Sequence, residues 1–355
     1  MIVRPIDTPP HSVTPQFYLG TCLFDPTGNS MMIRMLPVIF CLLQLLGLPV
    51  YARAESVALD REQVSQSIDD MLKVLKEVYV FPENVPAIEE KFARNMEQGL
   101  YDHVETTEDF VESVSADLAD FAQDGHMSVM LARSDATPSH VLIESVDERK
   151  NNYGFQKVEI LKGNVGYVKW NKFYADASAK STVDDAFGFL GRTSALIVDL
   201  RDNIGGSPEL ARYILSHFYE EPTLLWRFHS RGNRDVYDHL SIAQVGSEHF
   251  KSDFPLYVLV GTETGSAAEL FAYTLKHSNK ATLIGAQTRG IAHAVGAVSI
   301  NQYFDGRFSM ASMSNPVTNK DWEKVGVIPD IVAEKDKSLM IAHDLAMETL
   351  GKESH

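Results

Sequence analysis

After Glu55 the apolar residues first step at helical spacing and later switch to the runs and alternations of strands. Val64, Ile68, Met71, Leu75 and Val78 fall on one face of a helix that Asp60 is placed to cap, and Tyr79-Val80-Phe81-Pro82 ends it. Ile88, Phe92 and Met96 mark a second helix that stops near Gly99. Phe110, Val114, Leu118 and Phe121 mark a third, starting at Thr107. These faces predict a small helical N-terminal cap over residues 55–130. It closes on Gln123-Asp124-Gly125-His126-Met127-Ser128-Val129, a histidine between a helix and an apolar strand. Residues 131–152 are polar and irregular and read as a linker.

From Tyr153 onward the pattern is mixed strand and helix. Val158 to Leu161 and Val165 to Val168, joined through Gly163-Asn164, predict a β-hairpin. A helix around Val183 to Leu190 leads into Ala195-Leu196-Ile197-Val198-Asp199-Leu200, apolar on both faces and so buried in a sheet. That strand runs into Arg201-Asp202-Asn203-Ile204-Gly205-Gly206-Ser207-Pro208 and a helix from Glu209 to Phe218. Paired glycines at such a junction permit close backbone approach and can turn N–H groups into a cleft. A strand from Ala281 to Gly285, a loop from Gln287 to Ala294, a hairpin from Val298 to Phe308 around Gly306 and a helix from Ser338 to Leu350 complete an α/β chain.

The stretch Leu256 to Gly290 concentrates the candidate chemistry. Leu256 to Val260 is a buried strand, Gly261-Thr262-Glu263-Thr264-Gly265 a turn, and Ser266 the start of a helix. Ser266 fits an N-cap whose capping box Glu269 completes. A sharper reading, compatible with the cap, is a nucleophile at the positive end of a helix, where backbone N–H groups could stabilise an oxyanion.

Composition narrows the classes. The chain carries 32 Lys+Arg against 48 Asp+Glu, a net charge of −16. That balance argues against nucleic acid or an anionic membrane as partner. Met31-Met32-Ile33-Arg34, an apolar run to Tyr51 and Ala52-Arg53-Ala54 make a signal peptide over residues 31–54, with the mature chain starting at Glu55. Residues 1–30 then read as an upstream extension that is not native, with Met31 or Met32 the true start. Both cysteines, Cys22 and Cys41, precede Glu55, which suits a bacterial periplasm or cell exterior. No integral membrane domain is expected after cleavage. The twelve histidines are scattered and no metal-ligand spacing is visible, so neither metal nor cofactor is predicted.

Four separated motifs, ALIVDLRDNIGG, TETGSAAELFAYTL, ATLIGAQTRGIAHAVG and DWEKVGVIPDI, occur in an order that resembles the tail-specific (C-terminal processing) serine proteases. The branch containing interphotoreceptor retinoid-binding protein and its bacterial relatives is the closer likeness, through YVFPE, DGHMSV and YGFQKVEILKGNVGYV. The resemblance implies a helical cap followed by a crotonase-like ββα-spiral domain over residues 153–345, with polypeptide as substrate. Two departures stand out. The linker is too short for the PDZ domain of the processing branch, and Ile291 holds the place of that branch's lysine base. The tricorn-like arrangement of serine, histidine and glutamate maps instead onto Ser266, His126 and Glu323, with oxyanion donors from Ala267 and from Gly205 or Gly206. His293 is an alternative base, and a binder of apolar, retinoid- or lipid-like ligands is the alternative function.

Overall fold

Local chemistry sets the helical ends. In the computed structural model Asp60 accepts the Gln63 N–H at 2.8 Å, and the Gln63 side chain accepts the Asp60 N–H in return. This reciprocal cap starts α1 (Arg61–Val78). α2 is Val85–Glu97, and α3 (Thr107–Ala122) begins with a second reciprocal pair, Thr106 and Asp109. α3 stops where Gln123 turns left-handed, at φ 52°. The described residues are 56–132, 148–246, 250 and 253–353, and all belong to one unit, Ala54–His355. The upstream extension, the signal peptide and most of the linker lie outside them.

The strands and remaining helices follow in chain order: β1 (Ser128–Leu131), β2 (Phe155–Leu161), β3 (Val165–Trp170), α4 (Ala179–Leu190), β4 (Ala195–Asp199) and α5 (Pro208–Leu215). Then come β5 (Leu224–His229), β6 (Val236–Leu240), β7 (Leu256–Val260), α6 (Ala267–His277) and β8 (Thr282–Gly285). β9 (Ala294–Ser299), β10 (Phe304–Ser314), β11 (Ile331–Val332) and α7 (Lys335–Glu353) end the chain. One sheet has the order β11-β8-β7-β4-β3-β2, parallel except for the β2–β3 hairpin. The other is antiparallel, β1-β10-β5-β6, with β9 also on β10. α4, α5 and α6 cover one face of the parallel sheet, and Ala342 and Ala346 of α7 pack on the other.

Two expectations need adjusting. The hairpin near the end turns at Ile300–Tyr303, not at Gly306, which pairs with Val298 inside the ladder. Gly306 is there because a Cβ would enter the ring of Phe308. The helical cap also does not stand alone. β1 pairs with β10, and Phe304 and Phe308 of β10 are fully buried in the core of α1–α3. Phe304 stacks on Phe110 with ring centres 4.2 Å apart, and each buried ring contributes roughly 1.5–3 kcal/mol. The β5–β6 hairpin carries no strong sequence signal, since Val236, Tyr237 and Leu240 are exposed on an edge strand.

Candidate active site

β4 and β7 are parallel neighbours, so the turns that follow them emerge side by side. This brings Ile204-Gly205-Gly206 against Gly265-Ser266-Ala267. Asn203, wholly buried, ties the two turns to β3. Its side-chain amide donates to the Trp170 carbonyl at 3.0 Å and accepts the Gly205 N–H at 2.8 Å, while its own carbonyl accepts from Gly265. At Gly205, φ is +100°, and a Cβ there would lie 2.7 Å from the Cβ of Ser266. Glycine is therefore required for the approach.

Ser266 has φ 52° and ψ −119°, a region that L side chains avoid and that costs on the order of 1–3 kcal/mol. It sits half-buried at the first turn of α6. The carboxylate of Glu269, fully buried, holds this conformation. It accepts the N–H groups of Ser266 at 2.9 Å, Gly290 at 2.6 Å and Ile291 at 3.1 Å, and the hydroxyl of Thr288. Burial pushes its pKa up against those four donors. The capping partner expected from sequence thus also anchors the loop after β8. The Gly205 N–H is spent on Asn203 and drops out as an oxyanion donor. Those of Gly206 and Ala267 make no hydrogen bond among the described residues.

Ile291 touches both the turn before Ser266 and the histidine turn. Its Cδ1 is 3.2 Å from where a Cβ on Gly265 would sit, and its Cγ2 is 3.5 Å from the equivalent point on Gly125. Asp124, His126, His293 and Glu323 gather in one buried group. His293 Nδ1 is 2.7 Å from Asp124 Oδ2 and 3.8 Å from Glu323 Oε2. Asp124 also accepts from Ser309 Oγ at 2.7 Å and from the His126 backbone N–H at 2.9 Å. Glu323 accepts the Ala292 N–H at 2.6 Å, and Trp322 donates to the Ile291 carbonyl at 3.2 Å.

His126 is 4% exposed, and neither ring nitrogen has a hydrogen-bond partner; Asp124 Oδ1 stands 3.7 Å from its Nδ1. Burial pulls its pKa down to about 4, with Asp124 opposing only in part. Burial raises Asp124 too, but the hydrogen bond and charge of His293 outweigh it and hold the carboxyl at about 2. His293 is desolvated as well, yet its bond to Asp124 leaves its pKa raised. Burial lifts Glu323 to about 6 against the pull of His293.

The fold therefore brings His126, His293 and Glu323 together, but Glu323 meets His293 rather than His126. The carboxylate beside His126 is Asp124, which the sequence analysis passed over within DGH. Its signal was available: an aspartate two residues before a histidine accepts that residue's backbone N–H. Asn203 and Thr288 were missed as well, because their partners come from distant turns.

Residues 164–333 match the model of peptidase family S41, and residues 50–154 match the N-terminal domain of that family in eukaryotic IRBP. The chain is 32% identical over 168 residues to carboxyl-terminal-processing peptidase 2, chloroplastic, of Arabidopsis thaliana, covering 47% of this chain and 31% of that protein. It is 28% identical over 174 residues to the carboxyl-terminal-processing protease of a Synechocystis strain, covering 48% and 38%. The chain thus spans well under half the length of these curated relatives. Among solved structures, a candidate peptidase from Parabacteroides merdae aligns at a TM-score of 0.55 and 20% identity, over 81% of this chain and 95% of that one. A Streptococcus agalactiae lipoprotein aligns at 0.56 and 11%, over 81% and 96%. At those identities the likeness is one of fold. With both models matched in order along residues 50–333, the chain belongs to peptidase family S41 and carries its IRBP-type N-terminal domain.

Proposed function

We propose that this chain is an exported serine peptidase that hydrolyses polypeptides through an acyl-enzyme on Ser266. The observation that carries it is the Ser266 backbone: a non-glycine residue at φ 52° on a strand-to-helix turn. Such a turn lifts a hydroxyl above a sheet, and its strain has no packing purpose that alanine or glycine would not serve better. The Gly206 and Ala267 N–H groups beside it supply the oxyanion donors. Family membership and relatives named for carboxyl-terminal processing support a polypeptide substrate.

His126 is the base in this reading. Held neutral by burial and not hydrogen-bonded to Ser266 in this structure, its ring turns toward Ser266 Oγ on substrate binding and takes the proton as the hydroxyl attacks the scissile carbonyl. It then returns the proton to the leaving amine, and water releases the acyl group by the same route. Asp124 stabilises the transient imidazolium, with His293 and Glu323 behind it. With Ile291 in the place of the lysine, the serine–lysine route has no base there. His293 is a second candidate, favoured by its 2.7 Å bond to Asp124, the pairing that orients an imidazole in a triad. The crotonase-like ββα spiral remains part of this proposal, as does the absence of a PDZ domain.

Binding of an apolar ligand has less behind it. The core between α1–α3 and β10 is filled by Phe110, Phe304 and Phe308. A cavity of about 420 Å³ lies at the start of β7, opposite the end that carries Ser266, and its lining includes Asp253, Lys276, Asn279 and Asp330. Incubating the mature chain with an unfolded polypeptide such as casein tests the proposal. Cleavage that vanishes in Ser266→Ala supports it, and equal cleavage by both proteins refutes it.

A further inference from the structure

The buried group of Asp124, His126, His293 and Glu323 has a property that peptide hydrolysis does not need. Asp124, His293 and Glu323 each present one donor atom within 4.8 Å of the other two. They come from three distant stretches, so no ligand spacing is visible in the sequence. We propose that these residues, with His126 closing the set, bind one divalent transition metal of the zinc type, and that occupancy silences Ser266. The second half of this inference rests on the serine-peptidase reading; the first does not.

Donor chemistry selects the metal. Two imidazoles and two carboxylates suit zinc or its neighbours, whereas calcium needs six to eight oxygens. With bonds of ~2.0–2.2 Å, tetrahedral ligand atoms stand roughly 3.3 Å apart. Two observed separations straddle that value, 2.7 Å for His293 Nδ1–Asp124 Oδ2 and 3.8 Å for His293 Nδ1–Glu323 Oε2, while His126 Nδ1 stands 3.7 Å from the other Asp124 oxygen, Oδ1. Three of the donor atoms already lie within 4.8 Å of one another, and His126, which stands outside that group, turns toward Asp124 to become the fourth ligand.

The surroundings are those of a supported site. Asp124 is oriented by Ser309 Oγ and the His126 N–H, and Glu323 by the Ala292 N–H. The Phe81 ring covers His293, with centroids 5.1 Å apart. Metal ligands held by outer hydrogen bonds and an apolar wall show this pattern. His126 provides the independent pointer. A polar ring 4% exposed with both nitrogens unpaired costs roughly 1–3 kcal/mol, and a cation beside Asp124 would satisfy it. Arg307 is the opposing charge, acting on His126 from β10.

Metal binding expels the Nδ1 proton that His293 shares with Asp124, releasing it to solvent. It also occupies the lone pair of either candidate base, so Ser266 loses its proton acceptor. Reversible inhibition by zinc is the functional consequence.

The test uses the whole mature chain, stripped with a chelator, as wild type and as Ser266→Ala. Zinc is titrated against a chromophoric competitor, and cobalt(II) is followed by its visible absorption. The expected result is one metal per chain in both proteins. His293→Gln and Glu323→Gln should each weaken binding at least tenfold, with far-UV circular dichroism confirming that both fold. No stoichiometric binding by folded wild type overturns the site. So does unchanged affinity in both variants, which assigns the metal to surface histidines. Fluorophosphonate labelling of wild type should fall with the same midpoint and return on chelation; binding without that fall overturns the regulatory half. Absence of labelling in the stripped protein would instead refute the peptidase reading while leaving the metal titration intact.

Discussion

Asp124 and His293 are 169 positions apart in the chain, and their side chains meet at 2.7 Å in a buried pocket. One residue comes from the end of α3 and the other from the loop before β9. Their contact therefore ties the helical cap to the sheet that carries Ser266.

Asp124→Asn tests how much that tie is worth. Removing one partner of a buried ion pair destabilises by roughly 3–5 kcal/mol, because the other group is left uncompensated. Ser309→Ala removes only a neutral donor to the same carboxylate and should cost about 1 kcal/mol. Urea unfolding of the two variants should show that order, and equal losses would mean that the pair is not ionic.

The choice of base is read from the acid limb of kcat/KM, measured with chelator present. His126 has its pKa pulled from 6.5 to about 4, so it stays neutral through the mildly acid range and activity should hold until pH approaches 4. His293 is shifted the other way, so as base it would put the limb above 6.5. Stability is a poorer guide. His126, depressed in the folded state, contributes stability that is lost as pH falls from 6.5 toward 4. Glu323 is raised to about 6 and takes up a proton on folding over the same acid range, which opposes that loss.

Glu269→Gln probes the anchor under Ser266. The carboxylate accepts four donors, and an amide would direct its own N–H groups at some of them. Ser266 should relax from its strained backbone. Labelling by a fluorophosphonate should slow by about 100-fold or more, the scale of an ångström-sized misplacement. An unchanged labelling rate in a folded variant would show that Glu269 does not position Ser266.

Most of the fold was legible because its elements are locally consistent. Asp60 and Thr106 mark helix starts, and Ala195 to Leu200 is too apolar to be anything but an inner strand. The strand-to-helix turns that carry Ser266 and the paired glycines were visible because their signals lie in adjacent residues. What stayed hidden depends on register between distant turns. Asn203 claims the Gly205 N–H, Glu269 reaches across to Gly290, and Asp124 rather than Glu323 stands beside His126. No local pattern encodes which of two buried acids a histidine meets.

Export makes a separate prediction. Among the described residues no helix is long and apolar enough to cross a membrane, and the apolar run before Ala54 lies outside them. Expressed from Met31 in a bacterium with a secretion pathway, the protein should be recovered outside the cytoplasm. Its intact mass should begin at or near Glu55. A mass that retains residues 31–54 would contradict cleavage.

The central claim is that Ser266 is a nucleophile, and covalent labelling meets it most directly. The mature chain, stripped of metal, is incubated with a fluorophosphonate near neutral pH, digested and sequenced by mass spectrometry. The account predicts one adduct per chain on Ser266, absent in Ser266→Ala and slowed by 10²–10⁴-fold in His126→Ala. No adduct, or an adduct on another serine, would contradict it.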